Sequence, residues 1–320
     1  MIMKPFLILL SIAAVLTLAA FAISYICFRM AFYVTKKQKE EAKPLPIPGG
    51  ELSEKFTQMI RQWVAETDAL PYEDVAVRSF DGLLLRGKYY EYAPGAPIEL
   101  MFHGYRGSSR RDLSGGVQRC AMLGRSALIV DQRGSGRSEG NIITFGVNES
   151  KDCHSWIAFM IDHFGPDVKI HLTGISMGAS TVMMATGRPL PKNVVGVLAD
   201  CGYTSPKEII CQVIRQMKLP PQLAYPFVKL AARLFGHFDL DENPPIEAVT
   251  HCQVPLILIH GEDDAFVPCQ MSLDNYDACT SSRKRVVTVP GAGHGLSYVI
   301  EPELYVQSLR EFFCDEVPSK

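Results

Sequence analysis

The 320-residue sequence lacks an excess of charge of either sign. It carries 32 Lys and Arg side chains against 34 Asp and Glu, a formal net charge of -2 at pH 7. A protein that binds nucleic acid through its phosphates needs a basic surface, and this even balance supplies none. We therefore exclude nucleic acid as a partner.

The sequence also lacks the patterns that bind metals or nucleotides. Its nine cysteines form no CxxC pair, and its histidines show no metal-ligand spacing. The glycine-rich stretch from Asp131 to Gly140 contains neither Gly-Lys-Ser/Thr nor a full dinucleotide fingerprint. We therefore predict no metal and no cofactor. Scattered thiols favour a reducing compartment, although an even number outside the apolar N-terminus leaves disulfides open.

The N-terminus contains the longest uncharged run, from Pro5 to Phe28. About 24 residues of helix span about 36 Å, enough for a hydrocarbon core of about 30 Å. We predict that residues 1–30 are a transmembrane anchor in contact with membrane lipid. A cleaved signal peptide is the alternative, because Ala20-Phe21-Ala22 resembles a cleavage site. More positive charge follows the run than precedes it, which predicts that the rest of the chain lies in the cytoplasm.

The rest of the chain divides into a linker and one domain. Residues 31–50 are predicted to be a linker, because the proline-rich stretch from Pro44 to Gly50 disfavours helix. Residues 51–320 have the length of one domain with a single core. Its first segment, Glu51 to about Asp68, carries apolar residues at helical spacing, so we expect an amphipathic helix packed on the domain.

Short apolar runs then alternate with segments of helical length. After a hairpin between Val75 and Tyr90, the runs are Ile98–Phe102, Ala127–Val130, Val168–Leu172, Val194–Ala199, Pro255–Ile259 and Arg285–Val289. This alternation is typical of buried parallel strands with crossover helices. The predicted fold is α/β, with a mostly parallel central sheet flanked by helices. Because Tyr203 to Val249 is too long for one crossover, we interpret approximately residues 203–250 as an inserted helical cap.

A candidate nucleophile lies between one of these strands and the next helix. Gly174-Ile175-Ser176-Met177-Gly178 has glycine two residues to either side of Ser176. A tight strand-to-helix turn strains the backbone at its centre, and the glycines remove side chains that would clash there. The helix that begins at Met177 would direct N–H groups at a developing oxyanion.

The partners of such a serine follow in the chain. The stretch from His260 to Pro268, with Asp263 and Asp264, follows one predicted strand, and Gly291-Ala292-Gly293-His294-Gly295 follows the last. A serine hydroxyl is a weak nucleophile until an imidazole accepts its proton, and the imidazole needs a carboxylate to fix its tautomer. We predict Ser176 as nucleophile, His294 as general base, and an aspartate of this stretch as the orienting acid.

With these motifs, the sequence from about Tyr72 to its end resembles the α/β-hydrolase superfamily, in particular its serine-aminopeptidase-like esterase/peptidase branch. In that family the acid is the Asp of Gly-x-x-Asp-x-x-Val-Pro, which implies Asp264 here and leaves Asp263 as the alternative. The loop His103-Gly104-Tyr105-Arg106-Gly107 resembles the family's oxyanion loop. The resemblance therefore implies an oxyanion hole formed by the backbone N–H groups of Tyr105 and Met177.

Other polar residues near these motifs are expected to have structural roles. His103 and His260 are expected to hold loops, and Asp200 to make a hydrogen-bonded loop or cap contact. The stretch from Asp131 to Gly140 resembles a family loop near the mouth of the site. We expect three arginines in and just past the oxyanion loop to face solvent: Arg106, Arg110 and Arg111.

The sequence thus predicts a membrane-anchored serine hydrolase that cleaves carboxylic esters through an acyl-enzyme on Ser176. One alternative is a peptidase or amidase of the serine aminopeptidase type, because the same triad hydrolyses both bonds. Another is a catalytically silent membrane scaffold. The expected substrate is a small ester or a peptide, and no feature identifies a protein partner.

Overall fold

The computed structural model describes residues 3–40 and 51–313. The proline-rich segment from Pro44 to Gly50 lies outside these residues. The described part of the predicted linker lies against the domain: Phe32 is fully buried, and Tyr33 pairs with Ile142 in an antiparallel bridge. The chain is therefore already attached to the domain before residue 41.

The strands form one sheet. They are β1 Glu73–Arg78, β2 Leu84–Tyr90, β3 Ile98–Phe102, β4 Ser126–Asp131, β5 Ile170–Ile175, β6 Val194–Asp200, β7 Leu256–Gly261 and β8 Lys284–Val289. Their spatial order is β1-β2-β4-β3-β5-β6-β7-β8. Strand β2 pairs antiparallel with β1 and β4, and the remaining pairs are parallel. The prediction of a mostly parallel α/β sheet is confirmed.

Helices precede the sheet and connect its strands. They are α1 Met3–Ala31, α2 Lys36–Glu40, α3 Glu51–Ala69, α4 Ser109–Met122, α5 Val147–Phe164, α6 Met177–Ala185, α7 Pro206–Gln216, α8 Pro221–Ala231, α9 Pro245–Ala248, α10 Gln270–Ala278, α11 Ser297–Ile300 and α12 Pro302–Phe312. A π-helical turn, Ala232–Gly236, extends α8, and a 3-10 turn, Val249–His251, follows α9.

Helices cover both faces of the central strands, so every residue of β3, β4 and β7 is buried. Leu100 of β3 belongs to the core on the α5 side, with Trp156. Its neighbour Met101 belongs to the core on the α4 side, with Leu113 and Val117. Burial on both faces explains why these strands read as continuous apolar runs rather than as alternating patterns.

Helix α3 packs on the domain through its apolar stripe. Trp63 stacks on Tyr298 with a ring separation of 5.2 Å, and the buried Phe56 lies with Leu296 and Val299. At the other side of the molecule, α7 and α8 lie within the predicted cap. Because Pro lacks an N–H and fixes φ, Pro220 and Pro221 separate these helices and begin the second one.

Helix α1 is long and apolar enough to cross a membrane, with a mean hydropathy of 2.6 over its candidate span Leu7–Ala31. Residues 7–19 of this helix are exposed, whereas Phe28 near its end is buried. The ring of Phe235, just after α8, contacts Phe21 and Phe28 of α1 at 5.0 and 5.7 Å. The C-terminal part of α1 is thus packed against the predicted cap.

Candidate active site

Ser176 follows β5 and precedes α6, with a left-handed φ of 57°. A Cβ at Gly174 would overlap the carbonyl of Gly178, and a Cβ at Gly178 would overlap that of Phe102. Glycine at both positions therefore permits the turn. The N–H of Ser176 donates to the carbonyl of Asp200 at 2.8 Å, which stabilises this strained residue at the end of the sheet.

The three residues predicted as a triad lie together at the carboxyl ends of β5, β7 and β8. His294 Nε2 is 2.8 Å from Ser176 Oγ, and His294 Nδ1 is 2.7 Å from Asp264 Oδ2. These two contacts fix the imidazole tautomer, because Nδ1 must carry a proton to donate to the carboxylate. Nε2 is then the acceptor that faces the serine hydroxyl.

Asp264 is held as a buried carboxylate. Its Oδ1 accepts from the backbone N–H groups of Phe266 and Val267 at 2.9 and 2.8 Å. Burial alone would raise the pKa of Asp264, but the hydrogen bonds from His260 and His294 outweigh burial and hold that pKa well below its usual range. The adjacent Asp263 is exposed. The geometry therefore favours Asp264 over Asp263 as the partner of His294.

His260 contacts the same carboxylate from within the core. Its Nδ1 accepts from Ser272 Oγ at 2.6 Å. Its Nε2 then carries the proton and lies 2.8 Å from the carbonyl of Val267 and 3.2 Å from Asp264 Oδ2. His260 has the loop-holding geometry expected for it, and it also contacts the triad carboxylate. Its position at the end of β7, four residues before Asp264, is the sequence signal for that second contact.

The loop after β3 passes beside Ser176. A Cβ at Gly104 would lie only 3.5 Å from the Cβ of Ser176. In the described part of the chain, the backbone N–H groups of Tyr105 and Met177 have no protein acceptor. His103 fixes the loop, because its Nδ1 donates to the carbonyl of Gly104 at 2.8 Å and its Nε2 accepts from Gln132 N–H at 3.1 Å.

The same loop is bonded to the end of α1. Tyr105 Oη donates to the carbonyl of Ala31 at 2.7 Å. Arg106 Nη2 donates to the carbonyls of Met30 and Tyr33 at 2.8 and 3.2 Å. The bonds to Met30 and Ala31 satisfy carbonyls of the last turn of α1, which a helix C-terminus leaves without partners. We expected Arg106 to face solvent, but it bonds main-chain carbonyls instead. Because every residue has such a carbonyl, no sequence motif could predict this contact.

The other two arginines make ion pairs with side chains. Arg110 forms a bidentate pair with Asp68 of α3, with its Nη2 2.6 Å from Asp68 Oδ2, and its side chain is largely exposed. Arg111 pairs with the neighbouring Asp112. Arg110 therefore lies at the surface, as expected, whereas the Arg111 side chain is only 19% exposed and does not face solvent as expected.

A cavity of about 240 Å³ adjoins Ser176. Ile210, Ile214 and Val228 of the cap helices line it. Cys27 and Met30 of α1 complete its wall. Among the described residues that line this cavity, none is charged. The arrangement places an apolar chamber next to the polar groups of the triad.

One cluster near the site has metal-ligand side chains: Cys201, Asp264 and His294 have ligand atoms within 4.8 Å of one another. A metal-binding cysteine must be a thiolate. Burial, together with the charges of Asp200 and Asp264, raises the pKa of the Cys201 thiol well above its ordinary value. Asp264 and His294 already bond each other, so this donor set fits a metal poorly.

Asp200 lies close to the triad without contacting His294 through a hydrogen bond. Its side chain accepts from Tyr305 Oη at 3.0 Å and from Ser297 Oγ at 3.4 Å. Burial raises the pKa of Asp200. The main-chain carbonyl of Asp200 accepts from the Ser176 N–H, so Asp200 supports the turn at Ser176.

The sequence is similar to known proteins. A model described as the alpha/beta hydrolase family matches residues 100–308, a range that includes all three triad positions. The uncharacterized protein YqkD of Bacillus subtilis is 24% identical over 309 residues, which cover 95% of this chain and 96% of that protein. An uncharacterized protein of Mycobacterium tuberculosis is 26% identical over 247 residues, 76% of this chain and 79% of the relative.

Solved structures share the fold. An esterase of Pyrococcus furiosus superposes with a TM-score of 0.64 at 20% identity, over 86% of this chain and 97% of the esterase. Est1E of Butyrivibrio proteoclasticus, solved with ferulic acid bound, superposes with a TM-score of 0.57 at 19% identity, over 76% of this chain and 98% of that one. At such low identity these similarities concern the architecture of the sheet and its helices.

Proposed function

Because the chain belongs to the alpha/beta hydrolase family, we propose that it is a serine hydrolase that cleaves carboxylic esters through an acyl-enzyme on Ser176. The observation that carries the proposal is the continuous hydrogen-bonded series from Ser176 Oγ through His294 to Asp264, with contacts of 2.8 and 2.7 Å. The proposed nucleophile, its base and the group that orients the base therefore lie within hydrogen-bonding distance of one another.

The mechanism follows from these positions. His294 Nε2 accepts the proton of Ser176 as its Oγ bonds to the carbonyl carbon of the ester. The negative charge that develops on the carbonyl oxygen is stabilised by the N–H groups of Tyr105 and Met177. His294 then gives the proton to the departing alcohol, and the acyl group remains on Ser176. Water repeats the sequence, with His294 as base, and releases the acid.

Two alternatives from the sequence receive less support. A serine aminopeptidase must hold a charged peptide terminus, and the described lining of the cavity at Ser176 has no charged side chain to do so. A silent scaffold has no need of a left-handed serine in contact with an imidazole, and that strained residue costs free energy. Both features favour ester hydrolysis.

We also propose that α1 is an uncleaved membrane anchor and that the domain faces the cytoplasm. The exposed apolar surface of α1 matches the length of a bilayer core. The basic residues that follow the uncharged run Pro5 to Phe28, which are Arg29, Lys36, Lys37 and Lys39, outnumber Lys4 before it. Protease added to intact cells should leave the domain undigested, and digestion from outside would contradict this orientation.

The proposed activity is tested by labelling the full-length protein in detergent with a fluorophosphonate probe, which reacts with activated serines. The full chain is needed because the end of α1 is bonded to the oxyanion loop. Wild type and the control Ser155→Ala, a serine on α5, should be labelled, whereas Ser176→Ala should not. A folded wild type without labelling would favour the silent scaffold.

A further inference from the structure

We propose that the cavity beside Ser176 holds the acyl chain of a lipid ester, and that this ester reaches the site from the bilayer along the end of α1. The inference rests on the proposed function, because it names the substrate class for the same serine. It goes beyond that function by making the membrane helix a part of the substrate pocket.

The first support is the chemistry and size of the cavity. Its described lining is apolar except for Ser176 and two tyrosine rings, and its volume is about 240 Å³. An apolar cavity of about 150 Å³ is known to hold a benzene molecule. The space is therefore large enough for an alkyl chain of several methylenes, and apolar burial favours such a chain over a polar group.

The second support is the position of the cavity's mouth. Three of its lining residues are also about half exposed: Met30 at 54%, Met217 at 49% and Leu219 at 48%. Met30 lies at the end of α1, and the other two lie in the turn between α7 and α8. The opening thus has apolar residues of α1 on one side and of the cap on the other. A substrate that entered from water would first have to cross this apolar rim.

The third support is the surface around that mouth. Leu223 and Leu230 of α8 are exposed, the first at 69%, and Leu234 of the following turn is exposed as well. Large apolar side chains on one face typically mark contact with a membrane or a partner. This face adjoins α1, whose rings contact Phe235 next to Leu234, so the proposed anchor itself brings the face to the bilayer surface.

Hydrogen bonds fix the end of α1 relative to the oxyanion loop. The bond from Tyr105 Oη to the Ala31 carbonyl and those from Arg106 to the Met30 and Tyr33 carbonyls attach the last turn of α1 to the oxyanion loop. The acyl chain would therefore lie between α1 and the cap, with its carbonyl at Ser176. Attack by Ser176 Oγ would release the alcohol part of the lipid, which takes the proton from His294.

The first test measures acyl-chain preference in the full-length protein. A tryptophan at Cys27, which lines the cavity from α1, should fill part of it, whereas a tryptophan at the neighbouring Ile26, 57% exposed, should point into lipid. We expect Cys27→Trp to lower the ratio of kcat/KM for an octanoyl ester to that for an acetyl ester by about tenfold or more, because two excluded methylenes already account for that factor. Ile26→Trp should keep the wild-type ratio.

Equal ratios in Cys27→Trp and Ile26→Trp would overturn the inference. If Cys27→Trp does not fold, Val213→Trp, which fills the cavity from α7, replaces it with the same expectation. Fluorophosphonate labelling of each variant keeps the two proposals apart. A wild type that labels and cleaves acetyl and octanoyl esters equally well contradicts the acyl pocket alone, whereas one that neither labels nor cleaves any ester contradicts the proposed function.

The second test asks whether the substrate comes from the bilayer. The protein is reconstituted into phosphatidylcholine nanodiscs, and a palmitoyl ester is supplied either within the same discs or in separate phosphatidylcholine vesicles. We expect hydrolysis to be about tenfold faster when protein and ester share a bilayer, because the ester then avoids transfer through water. Equal rates from both sources would contradict entry along α1 and would indicate a soluble long-chain ester instead.

Discussion

Ser176 adjoins two groups of residues that differ in polarity, which we call its polar side and its apolar side. On the polar side His294, Asp264 and His260 are joined by hydrogen bonds. On the apolar side, Ile214 and Met30 belong to a cavity whose described lining carries no charge. The proposed reaction requires particular residue types on the polar side, because few side chains can perform the proton transfers. The apolar side requires only volume and hydrophobicity, which many residues supply.

The largest effect should separate the two neighbouring aspartates on the polar side. We expect Asp264→Asn to lower kcat by about 10³- to 10⁴-fold, because an amide would favour the wrong tautomer of His294. Asp263→Asn is the matched control, since Asp263 is exposed, and it should keep wild-type turnover. Steady-state kinetics on a chromogenic ester measure both. Intact turnover in Asp264→Asn, with loss in Asp263→Asn, would overturn the assignment.

A second buried carboxylate, outside the proposed site, provides a contrast with Asp264. Glu99 on β3 is fully buried and pairs with Arg119 and Arg125. We expect Glu99→Gln to lower the free energy of unfolding by about 3 kcal/mol, because it leaves buried guanidinium groups without their counter-charge. The folded fraction should keep its kcat.

Denaturant unfolding and kinetics on the same sample check this prediction. Glu311→Gln, which removes an exposed partner of Arg285, is the control and should leave the unfolding midpoint unchanged. A large loss of kcat in folded Glu99→Gln would contradict this prediction. It would show that loss of a buried charge lowers kcat even outside the series that contacts Ser176.

The stability supplied by Glu99 should depend on pH in a definite direction. Burial alone would raise the pKa of Glu99, but Arg119 and Arg125 outweigh it and lower the pKa to about 2. A carboxyl whose pKa is depressed by folding contributes stability above its unfolded pKa, about 4.3 for Glu. That contribution is lost as the pH falls from there through about 2.

The difference in unfolding free energy between wild type and Glu99→Gln should therefore be constant near neutral pH and shrink below about pH 4.3. Denaturation curves at a series of acidic pH values measure it. A difference that grew as the pH fell would contradict the depressed pKa.

The smallest predicted effect lies where the two sides meet, at the oxyanion loop. Arg106→Met keeps the length of the side chain but removes its bonds to the Met30 and Tyr33 carbonyls. We expect kcat to fall by about threefold to tenfold, since each lost hydrogen bond is worth about 1 kcal/mol and the loop loses its support. Arg110→Met, which removes a surface ion pair with Asp68, should have little effect. Equal kcat values in Arg106→Met and Arg110→Met would show that the contact between α1 and the oxyanion loop does not affect catalysis.

The sequence predicted the polar side far better than the apolar side. Ser176 and His294 stand in glycine-rich motifs after apolar strands, and such motifs are readable because steric limits on the turn leave few alternatives to glycine. The parallel strands were equally readable, since burial on both faces produces continuous apolar runs. The strand ends then bring together residues that are far apart in the chain.

The contact between α1 and the oxyanion loop could not be predicted in the same way. Phe28 packs inside the protein while Ile26 is exposed, yet both are simply apolar residues of one uncharged run. Tyr105 and Arg106 bind main-chain carbonyls, and every residue has a carbonyl, so no partner is written in the sequence. Only the folded arrangement shows that the proposed anchor also forms a wall of the cavity.

The most direct test of the proposed acyl-enzyme is detection of the acyl group on Ser176. Full-length protein is mixed with an activated octanoyl ester, stopped in acid within the first turnovers, and analysed by intact and peptide mass spectrometry. We expect a mass increase of one octanoyl group on the peptide that contains Ser176, and no increase in Ser176→Ala. An acyl group on a different residue, or undiminished turnover by Ser176→Ala, would contradict it.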